Sequence, residues 1–205
     1  MLISYREYSP NYFIILLTVF TFFIAAGCGN NLPVKKSIRN SFQLINQDSS
    51  KVIFPDDFKG HITVMSFIYT NCPDICPLTT NNLRMIQEQL KKEDIKGVQF
   101  VELSFDPDRD TPSILKKYAD VRSIDEKNFQ LLTGNKKVID SLLKVMNIYA
   151  IPTDTIKYND KGDFTYSFIH TDRITLLDGN SRIRKEYKGS IVDQKEIIDD
   201  IKSLE

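Results

Sequence analysis

Three side chains in this 205-residue chain could do chemistry together: Cys72, Cys76 and, far away in sequence, His170. The cysteines lie in Tyr69-Thr70-Asn71-Cys72-Pro73-Asp74-Ile75-Cys76-Pro77, each directly before a proline. A residue before proline is biased away from the α conformation. The spacing therefore predicts an extended loop, with the pair not standing as neighbours on a regular helix. Pro77 suits a first helical turn, and a helix N-terminus stabilises thiolates. A thiolate is the form that binds metal and attacks disulfides.

Three residues separate the cysteines, one more than in a Cys-x-x-Cys redox pair. The wider loop can open around a metal at about 2.3 Å from each sulfur, or close to a disulfide of about 2.05 Å. Structural zinc takes four protein ligands, and the domain offers no second cysteine pair. Two thiolates with one imidazole suit copper, above all Cu(I). Of the two histidines, His61 follows Gly60 at the entrance to an apolar run and is expected at a strand end or on the surface. His170, in Ser167-Phe168-Ile169-His170-Thr171-Asp172, is a candidate ligand, although a lone histidine is more often structural or solvated than a ligand. Asp106-Pro107-Asp108-Arg109-Asp110-Thr111-Pro112 reads first as a turn with Thr111 capping a helix. The alternative puts Asp106 or Asp110 beside the metal site, accepting a hydrogen bond from a ligand.

The elements that must position these groups are legible from periodicity. Phe42–Ile45 and Val52–Phe54 read as a small hairpin. Ile62–Tyr69 and Val98–Phe105 are nearly continuous apolar runs, the pattern of strands buried on both faces. Helices are expected from Pro77 to Glu93, Ser113 to Val121, Lys136 to Met146 and Asp193 to Ser203, with a short strand at Phe129–Leu132. Ile174–Leu177 and Ile183–Tyr187 flank Asp178-Gly179-Asn180, a hairpin signal. Residues 150–166 read as an irregular excursion or a hairpin. Strands alternating with helices, then a hairpin and a last helix, make an α/β class.

Lys and Arg number 27, as do Asp and Glu, so no charge surplus points to nucleic acid. The size supports one domain with a tail. Tyr12–Ala26 is an uncharged apolar stretch of 15 residues, short for a membrane span of about 20 and suited to a signal-peptide core. It leads into Ala25-Ala26-Gly27-Cys28, which resembles the lipobox of bacterial lipoproteins, with Ala25 where that pattern usually has Leu. The organisation expected is a signal peptide over residues 1–27, a lipidated Cys28 with a flexible tether over 28–40, and a folded domain over 41–205. An uncleaved anchor is the alternative. Both place the domain in the bacterial cell envelope, on the extracytoplasmic face of a membrane.

Three stretches together resemble the SCO/SenC family of copper proteins: Phe67–Pro77, Leu103–Pro112, and Ile169-His170-Thr171 followed by Ile174–Asp178. The resemblance runs from about residue 40 to the C-terminus. It implies a thioredoxin-like sandwich, a central mixed sheet flanked by helices with an extra N-terminal hairpin. It implies one copper, as Cu(I) or Cu(II), held by Cys72, Cys76 and His170. It implies a membrane-tethered metallochaperone serving the dicopper (CuA) subunit of cytochrome c oxidase, with another copper chaperone or a thiol reductase as a further partner. A thiol:disulfide oxidoreductase that reduces the CuA-site cysteines, and a copper or redox sensor, remain as alternatives. A peroxidase of the peroxiredoxin type fits less well, because Thr70 stands two residues before Cys72 instead of three.

Overall fold

The structure is a computed structural model that describes residues 32–153, 156–157 and 164–205. The expected signal segment and Cys28 lie outside the described residues. Among the described residues no helix is long and apolar enough to cross a membrane.

The centre of the domain is set by two apolar runs. Ile62–Ile68 forms β4 and Val98–Ser104 forms β5, paired in parallel from Ile62↔Val98 to Ile68↔Ser104. Every residue of β4 is buried, as a strand covered on both faces requires. Phe129–Thr133 (β6) extends the parallel set, pairing Phe100↔Phe129. On the other flank Ile174–Leu177 (β11) runs antiparallel to β4 and turns through Asp178-Gly179-Asn180 into Arg182–Tyr187 (β12). The predicted N-terminal hairpin is Phe42–Asn46 (β2) with Lys51–Phe54 (β3), joined to β6 at the opposite edge.

A two-residue strand, Lys36–Ser37 (β1), pairs with β12 and completes an eight-stranded sheet in the order β1-β12-β11-β4-β5-β6-β2-β3. This corrects one expectation. The tether assigned to residues 28–40 is, from Leu32 onward, part of the domain. Ile38 is buried, Lys35 and Ile38 donate backbone hydrogen bonds to Ile183 and Ser181, and the Leu32 carbonyl accepts from Arg184. So short a strand carries no periodicity, and its pairing is decided entirely by the partner edge.

Among the described residues four helices flank the sheet: Ile75–Lys92 (α1), Pro112–Val121 (α2), Lys136–Met146 (α3) and Gln194–Lys202 (α4). Leu83, Ile86 and Leu90 bury one face of α1 against the sheet. Thr111, Asn135 and Asp193 accept backbone hydrogen bonds at the starts of α2, α3 and α4. A parallel β4–α1–β5 unit sharing one sheet with an antiparallel β11–β12–α4 unit makes the fold thioredoxin-like. The described residues between 150 and 170 pair outside that sheet. Ala150–Pro152 (β7) pairs with Phe168–His170 (β10), and Ile156–Lys157 (β8) pairs with Phe164–Thr165 (β9), so the excursion resolves into an antiparallel ribbon.

Candidate metal centre

At the C-terminal end of β4 the chain leaves the sheet at Tyr69 and enters the cysteine loop. Thr70 is pinned from beneath by Asp110. Its N–H donates to Asp110 Oδ2 at 3.0 Å and its hydroxyl to Asp110 Oδ1 at 2.5 Å. The Ser104 hydroxyl donates to the same carboxylate, which is fully buried. A carboxylate accepting from three donors is strongly held. Asp110 thus fixes the strand exit two residues before Cys72.

The loop then re-enters secondary structure earlier than expected. Helix α1 begins at Ile75, so Cys76 lies in its first turn and Cys72 in the loop before it. The preproline bias at Cys76 is overridden because Pro77 falls within the first turn, where its missing N–H and fixed φ are tolerated. Asp74 makes no side-chain cap. The Cys76 N–H instead points at Cys72 Sγ at 3.5 Å, so the sulfur takes the place of a capping oxygen.

Cys76 is buried and Cys72 half-buried. A hydrogen bond from Cys76 pulls the Cys72 thiol far down, to about 3; burial opposes this, and His170 with the N–H groups of Asp74 and Cys76 adds to it. Cys76 is pushed the opposite way by that same shared proton and by burial. The shared hydrogen bond and burial thus drive the two thiols apart, Cys72 toward the thiolate and Cys76 toward the thiol, so that the pair titrates as a unit.

His170 reaches the cysteines from β10. Its Nε2 lies 3.9 Å from Cys76 Sγ, and its Nδ1 is 3.2 Å from the Thr171 carbonyl. A carbonyl only accepts, so Nδ1 carries a hydrogen and Nε2 is the ring nitrogen that faces the sulfurs. Burial works against charge on His170, but the Cys72 thiolate and the Thr171 carbonyl outweigh it and raise its pKa. Tyr69 and Phe105 wall the imidazole, with ring centroids 6.0 Å and 5.1 Å from it, and both pack against Phe168.

The two sulfurs and one ring nitrogen all lie within 4.8 Å of one another. A trigonal centre with bonds of about 2.3 Å to sulfur and about 2.0 Å to nitrogen separates S and N by roughly 3.8 Å. The 3.9 Å observed between Cys76 and His170 matches that spacing. The donor set is soft and offers three ligands, which fits copper better than structural zinc.

The other candidates sort out by position. His61 precedes the N-terminal end of β4, a seven-residue strand away at about 3.3 Å per residue, and cannot reach the site. Asp106 does not touch the cysteines or His170. Its carboxylate accepts from the Tyr166 hydroxyl at 2.7 Å and faces Arg109, and burial raises its pKa. Sequence reasoning weighed Asp110 but had no signal for Tyr166 or for Asp172. Asp172 accepts from the Ser190 N–H and hydroxyl and from Thr79 on α1, fixing the turn after His170.

The sequence profile described as SCO1/SenC matches residues 30–205. A SCO1/SenC family lipoprotein from Bacillus anthracis is 32% identical, with a TM-score of 0.70 over 84% of this chain and 96% of that one. ScoI of Bradyrhizobium japonicum, solved with copper bound, is 28% identical, with a TM-score of 0.69 over 82% of this chain and 99% of that one. BsSco, a member of the Sco family of cytochrome c oxidase assembly proteins in which a disulfide switch was identified, is 29% identical, with a TM-score of 0.67 over 83% and 95%.

Proposed function

The chain belongs to the SCO1/SenC family, and from that premise we propose that it is a copper metallochaperone, lipid-anchored at Cys28 in the bacterial envelope, that serves the CuA subunit of cytochrome c oxidase. The observation that carries the reading is the convergence of Cys72, Cys76 and His170 within 4.8 Å, from a loop, a helix start and a separate ribbon. Copper is the cargo. Cys72 offers a thiolate already formed, Cys76 gives up its proton on binding, and His170 supplies the Nε2 lone pair fixed by Thr171. The shallow position of Cys72 leaves one sulfur open to an acceptor's ligands, the route by which cargo passes between proteins without release to water. A related lipoprotein, a copper-bound relative and a relative in oxidase assembly support the same reading.

A second reading is favoured by the low pKa of Cys72. That thiolate can attack a disulfide of the CuA subunit, forming a mixed disulfide and expelling the partner's thiolate. Cys76, once deprotonated, then attacks Cys72 Sγ, closing the internal disulfide and releasing the partner's second thiolate. The two partner sulfurs gain the two electrons that the pair loses. This activity needs neither His170 nor metal.

The deciding experiment is anaerobic titration of the reduced full chain with Cu(I), alongside Cys72→Ala, Cys76→Ala and His170→Ala. One copper per chain, with affinity lost in each variant, is the expected result. Unchanged affinity and spectrum in His170→Ala would remove the three-ligand site. Reduction of an oxidised CuA domain by His170→Ala in the presence of a copper chelator would establish the second activity.

A further inference from the structure

The ribbon that carries His170 meets the body of the domain through one aromatic cluster and one polar cluster. On its inner side Phe168 and His170 meet Tyr69 and Phe105. Its outer side presents Ile151 and Ile169, paired across the two strands and 57% and 70% exposed. Between the ribbon and α3 lies a cavity of about 350 Å³, lined by Asp106, Leu143, Pro152, Tyr166 and Phe168 among others. The ribbon is therefore not packed solidly from beneath, and its remaining hold is polar.

That hold is centred on Tyr166, four residues before His170. The Tyr166 hydroxyl donates to Asp106 Oδ1 at 2.7 Å. The Arg109 guanidinium lies over the Tyr166 ring at 3.3 Å from its centroid and donates to the Tyr166 carbonyl at 3.2 Å. Arg109 Nε also faces Asp106 Oδ2 at 3.5 Å, so cation, ring and carboxylate close a triangle. Stacking and a hydrogen bond act on the Tyr166 side chain, the ion contact joins their two partners, and both partners sit in the turn after β5.

Building on the copper reading, we propose that Tyr166, Asp106 and Arg109 form a latch that keeps His170 over the dithiol and so sets the rate at which copper leaves. With the latch closed, the imidazole is held against the two sulfurs. With it open, the ribbon lifts, Nε2 withdraws with its lone pair, and an acceptor's sulfur or nitrogen lone pair takes the vacated position. Copper keeps its oxidation state throughout this exchange. Tyr166 acts through His170 and is a positioning residue.

The test uses the full chain loaded with one Cu(I), with release to excess bicinchoninate followed by absorbance. Tyr166→Phe removes only the hydroxyl and its bond to Asp106, whereas Arg109→Gln removes the cation from the ring together with its contacts to the Tyr166 carbonyl and to Asp106. Each should speed release about tenfold, the effect of losing one hydrogen bond to a charged partner. Neither should change release in a His170→Ala background, and neither should move the Cys72–Cys76 disulfide potential. Unaltered release in both variants, equal acceleration without His170, or a displaced potential would each overturn the latch. If wild type and His170→Ala release copper at one rate, the three-ligand reading itself fails, and that result is separate from any property of the latch.

Discussion

Replacing Glu102 by Gln should make the protein more stable at alkaline pH and remove a pH dependence that wild type possesses. Glu102 lies on β5, is completely buried, and accepts from the Ser66 hydroxyl at 2.9 Å and the Thr80 hydroxyl at 3.0 Å. Thr80 stands one helical turn after Cys76, and the Tyr118 hydroxyl is within 2.9 Å of Thr80. Burial drives the Glu102 carboxyl up to about 7, against an ordinary value of 4.5; Ser66, Thr80 and the charge of Arg122 offset only part of it. Between those two values the folded chain holds a proton that the unfolded chain has released. Stability therefore falls as pH rises from about 4.5 to about 7 and then levels off. The interval is roughly 2.5 units at about 1.4 kcal/mol each, so the loss is on the order of 3 kcal/mol. Gln is neutral throughout, can keep the hydroxyl contacts, and removes that loss. The assay is urea unfolding of both proteins at pH 5, 6, 7 and 8, with all other carboxylates common to the pair. The difference curve should rise in favour of Glu102→Gln across pH 5–7 and flatten above it. A flat difference, or one rising toward acid, would refute the claim that Glu102 is held neutral by burial.

Alkylation by iodoacetamide, read by peptide mass, should modify Cys72 at acidic pH where ordinary thiols are inert, and leave buried Cys76 largely untouched. Modification of Cys76 first would reverse the assignment of the thiolate. Asp110→Asn should cost about 2 kcal/mol in urea melts and weaken Cu(I) binding, because it takes the charge from an acceptor shared by Thr70 and Ser104. An unchanged affinity would mean that the loop holds its shape without this anchor. Gly189→Ala should destabilise by about 1–3 kcal/mol, since its methyl would fall 2.7 Å from Asp172 Oδ1 and 2.9 Å from Thr79. A neutral effect in the same melts would show that the turn after His170 can yield.

Much of this domain is written locally. The apolar runs at Ile62 and Val98, the helix at Lys136–Met146 and the Asp178-Gly179-Asn180 hairpin depend on patterns within a dozen residues, and the structure has them where the patterns put them. The pairing of Lys36 and Ser37 with β12 carries no such pattern, because a two-residue edge strand is chosen by its neighbour. The early start of α1 was hidden too. Local rules about prolines compete there, and the Cys72 sulfur behind the Cys76 N–H is part of the outcome.

The site divides in the same way. Residue type and spacing by themselves determined that Cys72 and Cys76 form a soft, reactive pair, since both properties belong to the thiol and to a short loop. Only the tertiary structure decided the rest. It brought His170 across from a ribbon 94 residues later to within 3.9 Å of Cys76. It separated two aspartates four residues apart, sending Asp110 beneath the loop and Asp106 to Tyr166. It pushed the two thiols in opposite directions, because burial and a shared hydrogen bond act on distance in space and leave no trace in the order of residues.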